Sequence, residues 1–499
     1  MLSSLISPLT LTYHSYPIPT VLIACLFLTT LIIYITSPPR RFSIDLPTLP
    51  ESPSAQRQRW KWKSHIMLLE GYRKFPGKMF QVWSSEGPEI IVPPEFLDEL
   101  KGLPDTYLSS IAGLAEMFQS RYTTIPIEDN HFGIHFAKTI LTKNLGKVLP
   151  GMIEELNFVL PQHFDSYPSR VFVGPNLCRN PSWLQTTESY SKDVFISSSI
   201  LKVFPTFSRH MIKWFIPQIW SISRHNRRAA QIVEEALKDR FETKPKIPDE
   251  VEFKESLDAT HGIWELLPDE LKRDYDFQGR GQLGLAAAGI HTTSTLVTNC
   301  IYSLAQFPEY APILKEEIED VRRDTGGGEW TIEALGRLKK LESFMKENLR
   351  LFASGVTSFR RKVLLPITLS NGTILPVGSY ISAPLFAISI APSIYGPSSE
   401  TFSGFRFYNQ QPHSDSKQPP SQLTSTTCAS PFFGLGKHAC PGRFFAALEA
   451  KLLLVEMLGR YEFRLKEGEG RPGNVVFNSL RIVKPGCEVL VRDLKGRKV

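Results

Sequence analysis

Residues 432–446 read F-F-G-L-G-K-H-A-C-P-G-R-F-F-A, which sets one cysteine, Cys440, between glycine-rich backbone and a helix start. A thiolate in that position gains from the free N–H groups and the positive end of the dipole, so a lowered pKa is expected. Gly434, Gly436 and Gly442 permit φ > 0 or close approach to a flat ligand, and amides aimed at the sulfur would tune a metal bound to it. Lys437, His438 and Arg443 add positive charge beside the thiol, suited to the carboxylates of a ligand. The competing reading of any single cysteine is an inert buried thiol.

Two further groups stand out. Ala288-Gly289-x-x-Thr292-Thr293 lies in the nearly uncharged run G-L-A-A-A-G-I-H-T-T-S-T-L-V-T-N-C-I-Y-S-L-A. Thr292 could offer its hydroxyl to a site, or bond back to a carbonyl of its own helix. His291 reads equally as a proton relay or as a hydrogen-bonded core histidine. Gly289 in mid-helix costs about 1 kcal/mol relative to alanine, which makes sense where a ligand needs room against the backbone. Glu347 and Arg350, three apart, are adjacent on one helix face; in isolation such a pair is usually a solvated contact.

These residues need elements to hold them. No proline falls between Gln278 and Phe307, which predicts a helix of about 30 residues, roughly 45 Å long. Being apolar on most sides, it should run through the middle of the fold. Ala229 to Arg240, Pro312 to Arg323 and the segment after Cys440 read as further helices, the last with Phe444, Phe445, Leu448, Leu452 and Leu453 on one side. Leu338, Leu341, Met345 and Leu349 give the helix of Glu347 its core face. Beyond Arg350, V-L-L-P-I-T-L-S, an Asn371-Gly372 turn and T-I-L-P-V-G-S-Y-I make a hairpin. The polar tract from Asn409 to Thr427 reads as a surface loop. The fold class is therefore mainly α with small β-sheets.

At 499 residues, 42% hydrophobic and 21% charged, the chain has the composition of a folded enzyme rather than of a disordered segment. Six cysteines without a C-x-x-C pair exclude a disulfide framework and a zinc ribbon. Lys and Arg exceed Asp and Glu by seven, without the basic blocks of a nucleic-acid binder. No nucleic acid is expected as a partner, and an acidic protein face or an anionic membrane fits better.

The Cys440 string closely resembles the haem-binding loop F-x-x-G-x-[R/H]-x-C-x-G of the cytochrome P450 family, with Phe433, Gly436, His438, Cys440 and Gly442 at the matching positions. Glu347 and Arg350 resemble that family's E-x-x-R pair, which locks with the arginine of an F-x-x-x-R element, here Phe402 and Arg406. Ala288, Gly289, Thr292 and Thr293 resemble its distal-helix element. The resemblance covers essentially the whole chain from the N-terminal apolar run onward and implies the cytochrome P450 fold. It makes Cys440 the axial ligand of a haem b iron, surrounded by Phe433, Gly434, Gly436, His438 and Gly442. Thr292 would help deliver protons, with His291 where the family more often has an acid. Arg361, or Arg360 in its place, would contact a haem propionate. No W-x-x-x-R motif is found near residues 131–145, where His131, His135 or Lys138 could stand in. Gly404 and Ala353 occupy positions where the family commonly has proline.

The implied activity is a monooxygenase that inserts oxygen from O2 into a hydrophobic small molecule. No P-loop or dinucleotide fingerprint is present in the sequence, so electrons from NADPH would arrive through NADPH-cytochrome P450 reductase, with cytochrome b5 as a further donor. V-F-V-G-P-N-L-C-R-N-P-S-W (residues 171–183) and the two motif strings resemble the filamentous-fungal branch that acts on terpenoids, indole terpenoids and polyketides, which implies secondary metabolite biosynthesis. The alternatives are desaturation, ring formation or rearrangement on the same scaffold, and, more remotely, a non-catalytic haem-binding membrane protein or sensor.

The apolar run from Ile18 through Thr36 has the length, about 20 residues, to cross a bilayer as a helix. No Lys or Arg precedes it, whereas Arg40, Arg41, Arg57, Arg59, Lys61 and Lys63 follow, which leaves the body in the cytosol. The expected organisation is an anchor over 1–37, a Pro-rich linker over 38–59 and a catalytic domain over 60–499. It is that of a single-pass endoplasmic reticulum membrane protein in contact with membrane lipid.

Overall fold

The computed structural model describes residues 25, 29, 46–129, 131–160, 169–238, 258–409 and 422–494. The expected span over 18–36 lies outside the described residues apart from Cys25 and Thr29. Among the described residues no helix is long and apolar enough to cross a membrane.

Helix α1 (Pro53–Lys74) begins where the Ser52 side chain accepts the Ala55 N–H and a proline occupies the first turn. Gln56, Trp60, Met67 and Leu68 of α1 are buried together with Leu49. The folded body thus reaches back into the expected 38–59 linker, because the prolines near residue 53 start a helix there instead of spacing a tether.

The strands β1 (Phe80–Ser84), β2 (Gly87–Ile91), β3 (Leu108–Ser109), β4 (Ser358–Val363) and, after the hairpin β5 (Ile367–Thr368) and β6 (Ile374–Leu375), β7 (Tyr380–Ala383) supply the main sheet. Its order is β1-β2-β7-β4-β3. β2 and β7 run parallel, and the other neighbours are antiparallel. The β5–β6 hairpin turns at Asn371-Gly372, with Gly372 at φ +80°, where an Asn-Gly turn was expected. Further two-stranded pieces, Tyr461–Arg464 with Leu490–Asp493 and Asn474–Phe477 with Leu480–Val483, complete the β structure of the described residues.

The helical body is built from α2 (Pro181–Val203), α3 (Pro217–Lys238), α4 (Tyr275–Gln306), α5 (Tyr310–Asp324), α6 (Lys339–Phe352) and α7 (Arg443–Arg460). The expected long helix is α4, 32 residues capped by the Asp274 carboxylate on the Phe277 N–H. It packs against α2, α3, α6 and α7. Leu283, Leu296 and Leu304 of α4 share one hydrophobic cluster with Phe344 and Met345 of α6 and Leu448 and Leu452 of α7. The segment predicted to be apolar all round therefore sits at the centre of the body, as a helix without a polar face must.

Candidate functional site

The loop before α7 is tied at its base by the Cys440 N–H, which donates to the Phe433 carbonyl at 2.7 Å. Gly434 and Gly436 adopt φ +75° and +63°, and a Cβ on Gly436 would fall 2.6 Å from the Lys101 carbonyl oxygen. Only glycine meets both demands there. Gly442 caps α7 at φ −86°, and a Cβ on it would meet no atom within 4 Å, so its absent side chain leaves clear space beside the cysteine.

The amides of Gly442 and Arg443 are directed at the Cys440 sulfur. The expected lowering of the thiol pKa is not what the chain alone produces. Burial pushes the Cys440 thiol up, and the two amides and the Arg443 guanidinium only partly offset it. Removing a thiolate from water outweighs dipoles at one helix end, so the charge of a bound metal must supply the rest. Arg443 donates to the Cys440 carbonyl at 2.9 Å, and its Nε is buried without a hydrogen-bond partner among the described residues.

Strand alternation separates Arg360 from Arg361. Arg360 points to the acids of the β1–β2 hairpin, bonding Glu89 at 2.9 Å and pairing with Glu86. Arg361, 7% exposed, donates at 2.8 Å to the Arg360 carbonyl and makes no ion pair among the described residues. Burial lowers its pKa to about 10, with Asp105 pulling the other way. An anion is thus missing at Arg361 and not at Arg360. His438 and Lys437 are engaged by a single carboxylate: Asp105 contacts His438 Nε2 at 2.5 Å and Lys437 Nζ at 3.2 Å. Burial holds the His438 pKa below its ordinary value, with Asp105 opposing. Lys138, on a π-helical turn over Phe136–Leu141, donates to the Lys437 carbonyl at 3.0 Å and so braces the cysteine loop from below.

The Glu347–Arg350 pair is no solvated contact. Both side chains are fully buried, and Arg350 holds Glu347 through Nε and Nη2 at 2.8 and 2.7 Å. Arg406 reaches the same carboxylate with Nε at 3.2 Å and clamps the chain through the carbonyls of Ser398 and Thr401 at 2.8 and 2.9 Å. Arg350 also binds the Ser389 and Ser399 carbonyls, each at 2.5 Å. Gly404, where proline is commoner, donates its N–H to the Tyr310 hydroxyl at 3.0 Å. A Cβ at Gly404 would lie 2.7 Å from Tyr310 and 2.8 Å from Phe344.

On α4, Ala288 and Thr292 are exposed although the helix lies in the core. They are one turn apart, so one stripe of the central helix faces open space. Thr292 bonds back to the Ala288 carbonyl at 2.9 Å. Gly289 does not leave room for a ligand: the Phe172 ring fills that position, within 2.8 Å of where a Cβ would be. His291 turns toward α2, edge-on to Phe195 at 6.0 Å, and burial holds its pKa down, reinforced by Lys192 and opposed by Glu188. Thr293 bonds Glu449 of α7, a carboxyl 2% exposed whose pKa burial pushes up to about 8.

A sulfur faced by two amides, the buried Arg443 Nε, an unpaired buried Arg361 and an open stripe on α4 fit a flat, metal-containing ligand that carries carboxylates. The sequence reading missed Glu449, although an acid at helical spacing between the apolar Phe445 and Leu452 of α7 was a signal. It also missed Asp105, which lies 333 residues from His438 and has no local signature.

Fold and site define the haem-thiolate class of proteins. A family model for cytochrome P450 matches residues 211–486. The chain is 32% identical over 448 residues to a cytochrome P450 monooxygenase of Emericella nidulans, covering 85% of this chain and 82% of the relative. It is 30% identical over 464 residues to an ent-kaurene oxidase of Fusarium fujikuroi, covering 87% and 85%. The structure of a retinoic acid-bound cyanobacterial CYP120A1 shares the fold, with a TM-score of 0.64 at 18% identity over 91% of this chain and 100% of that one. The chain belongs to the cytochrome P450 family, oxidoreductases that incorporate oxygen using cysteine-ligated haem and electrons from a reductase.

Proposed function

We propose that this monooxygenase hydroxylates, or oxidises in successive steps, an apolar small molecule in fungal secondary metabolism, with a terpenoid as the first substrate class to test. The observation that carries the reading is the Cys440 loop, with the Gly442 and Arg443 amides aimed at sulfur, together with the open Ala288–Thr292 stripe of α4. The fungal relatives, one of them an ent-kaurene oxidase, support the substrate class. The haem supplies thiolate-donated electron density that favours O–O cleavage.

In this reading the chain's own residues have separate tasks. Cys440 would hold the iron, and the Gly442 and Arg443 amides would hold the sulfur in place and moderate its charge. Arg361 would bind a propionate. Phe433, Gly434, Gly436 and His438 shape the loop around the haem, with Asp105 orienting His438. Thr292 would exchange its bond to the Ala288 carbonyl for one to a water in the open stripe and so position a proton; the packing of His291 against Phe195 of α2 favours the core-histidine reading over the proton relay. The apolar surroundings of α4 keep other water away.

NADPH-cytochrome P450 reductase, with cytochrome b5 as a second donor, would approach the Lys437 side. An N-terminal span over residues 18–36 would hold the enzyme in the endoplasmic reticulum membrane. The test is turnover with purified reductase under labelled O2, using the compound that accumulates when the gene is deleted. A product carrying one labelled oxygen is expected. A product that lacks the label and has lost two hydrogens would transfer the reading to desaturation.

A further inference from the structure

We propose that Lys138 and Arg443 are paired positioning residues that hold the Cys440 loop in its ligating form, each by one carbonyl of the loop; the role rests on Cys440 being the iron ligand. Lys138 Nζ donates at 3.0 Å to the Lys437 carbonyl, 299 positions away in the chain, and Arg443 Nη1 donates at 2.9 Å to the Cys440 carbonyl. These two carbonyls bracket the segment that ends in the sulfur, and each needs a donor from outside the loop. The 3-10 turn Gly436–His438 closes through the Ala439 N–H on the Gly436 carbonyl, which leaves the Lys437 carbonyl to Lys138. Pro441 has no N–H, so the peptide between Cys440 and Pro441 can be held only by its carbonyl.

A π turn carries one residue more than an α turn, and such insertions recur at functional sites. Here the widened turn Phe136–Leu141 is the stretch that meets the cysteine loop, fixed by the Thr142 N–H and hydroxyl on the Ala137 carbonyl, the hydroxyl at 2.7 Å. Lys138, which the sequence left open as a propionate contact, is directed to the loop instead. Lys138, Lys437 and Arg443 line one cleft of about 220 Å³ whose walls contain no acid, so no carboxylate there draws Lys138 or Arg443 off its carbonyl. The Arg443 charge also reaches the sulfur. A cation held beside the ligand favours the more negative, reduced centre, so losing either one should lower the midpoint potential.

The test uses the full-length, haem-loaded protein reduced by dithionite under CO in dilute urea, with no reductase present. Loss of the thiolate-type Soret band should be at least about threefold faster in Lys138→Met and in Arg443→Gln than in the wild type. Redox titration of the same variants should give lower haem midpoint potentials. Lys138→Arg and Arg443→Lys keep the charge and a donor, and should recover both readings. Wild-type rates and potentials in the Met and Gln variants would overturn the proposal. So would a faster loss shared equally by the charge-keeping variants, since that would trace to packing and not to a held carbonyl. A wild type with no thiolate-type band would instead overturn the assignment of Cys440 itself.

Discussion

Arg360 and Arg361 are neighbours in sequence with opposite surroundings, and this contrast carries a direct prediction. Arg361→Gln should lower haem content severalfold with little change in the apoprotein's melting temperature, because the buried guanidinium has no acid to leave behind. Arg360→Gln should instead destabilise the fold by about 3–5 kcal/mol, since buried Glu89 would lose its cation and Glu86 would keep Lys202 alone. Haem content and thermal melts of the two variants separate the roles; equal haem loss in both would remove Arg361 from the site. Glu449 gives the pH dependence. Its folded pKa, about 8, lies above the ordinary carboxylate range. The folded state therefore keeps a proton that the unfolded state releases, and stability falls as pH rises through that interval. Between about pH 5 and about pH 8 the wild-type melting temperature should fall more than that of Glu449→Gln, which cannot titrate. Identical slopes would contradict a neutral Glu449. Cys440, its glycines and His438 were legible in the sequence because they form one local string. The environment that pushes the thiol up was not, because burial is set by residues distant in the chain.

Three elements meet at one carboxylate, Glu347: α6 supplies it together with Arg350, and the segment around Arg406 closes over it. The E-x-x-R spacing shows adjacency on a helix, but no helix-local rule shows that both groups are fully buried or that the carbonyls of Ser389, Ser399 and Thr401 complete the shell of Arg350. Glu347→Ala should leave two buried guanidinium groups uncompensated and cost about 3–5 kcal/mol, measured by chemical denaturation; a loss under about 1 kcal/mol would mean that the clamp is solvated after all. Gly404→Ala tests the same junction by shape. With Tyr310 and Phe344 in contact with the new methyl group, a loss of about 1–3 kcal/mol is expected. The long helix was legible as an unbroken apolar run, and its observed ends fall within a few residues of those expected. The role assigned to Gly289 was not: sequence showed a missing side chain, and only packing shows that Phe172 takes the space.

At the scale of the whole molecule, the mildly basic balance of the chain has to be read face by face. Near Cys440, Lys437 and His438 share Asp105, so the positive surface offered to a reductase is weaker than the sequence alone implies. Lys437→Glu should slow reductase-supported turnover most at low ionic strength, and Asp105→Asn should speed it under the same conditions; a salt-independent effect of either would argue against electrostatic docking there. The fold class and the order of its motifs could be read from the sequence, since each rests on local spacing. The sheet order β1-β2-β7-β4-β3 could not, because it joins strands almost 300 residues apart. The central claim is that this whole arrangement presents Cys440 to haem iron, and absorbance of the reduced, CO-bound protein tests it most directly. The wild type should show the Soret shift of a thiolate ligand, and Cys440→Ser should lose it. A histidine-type spectrum in the wild type, or a thiolate-type spectrum that survives in Cys440→Ser, would contradict the account.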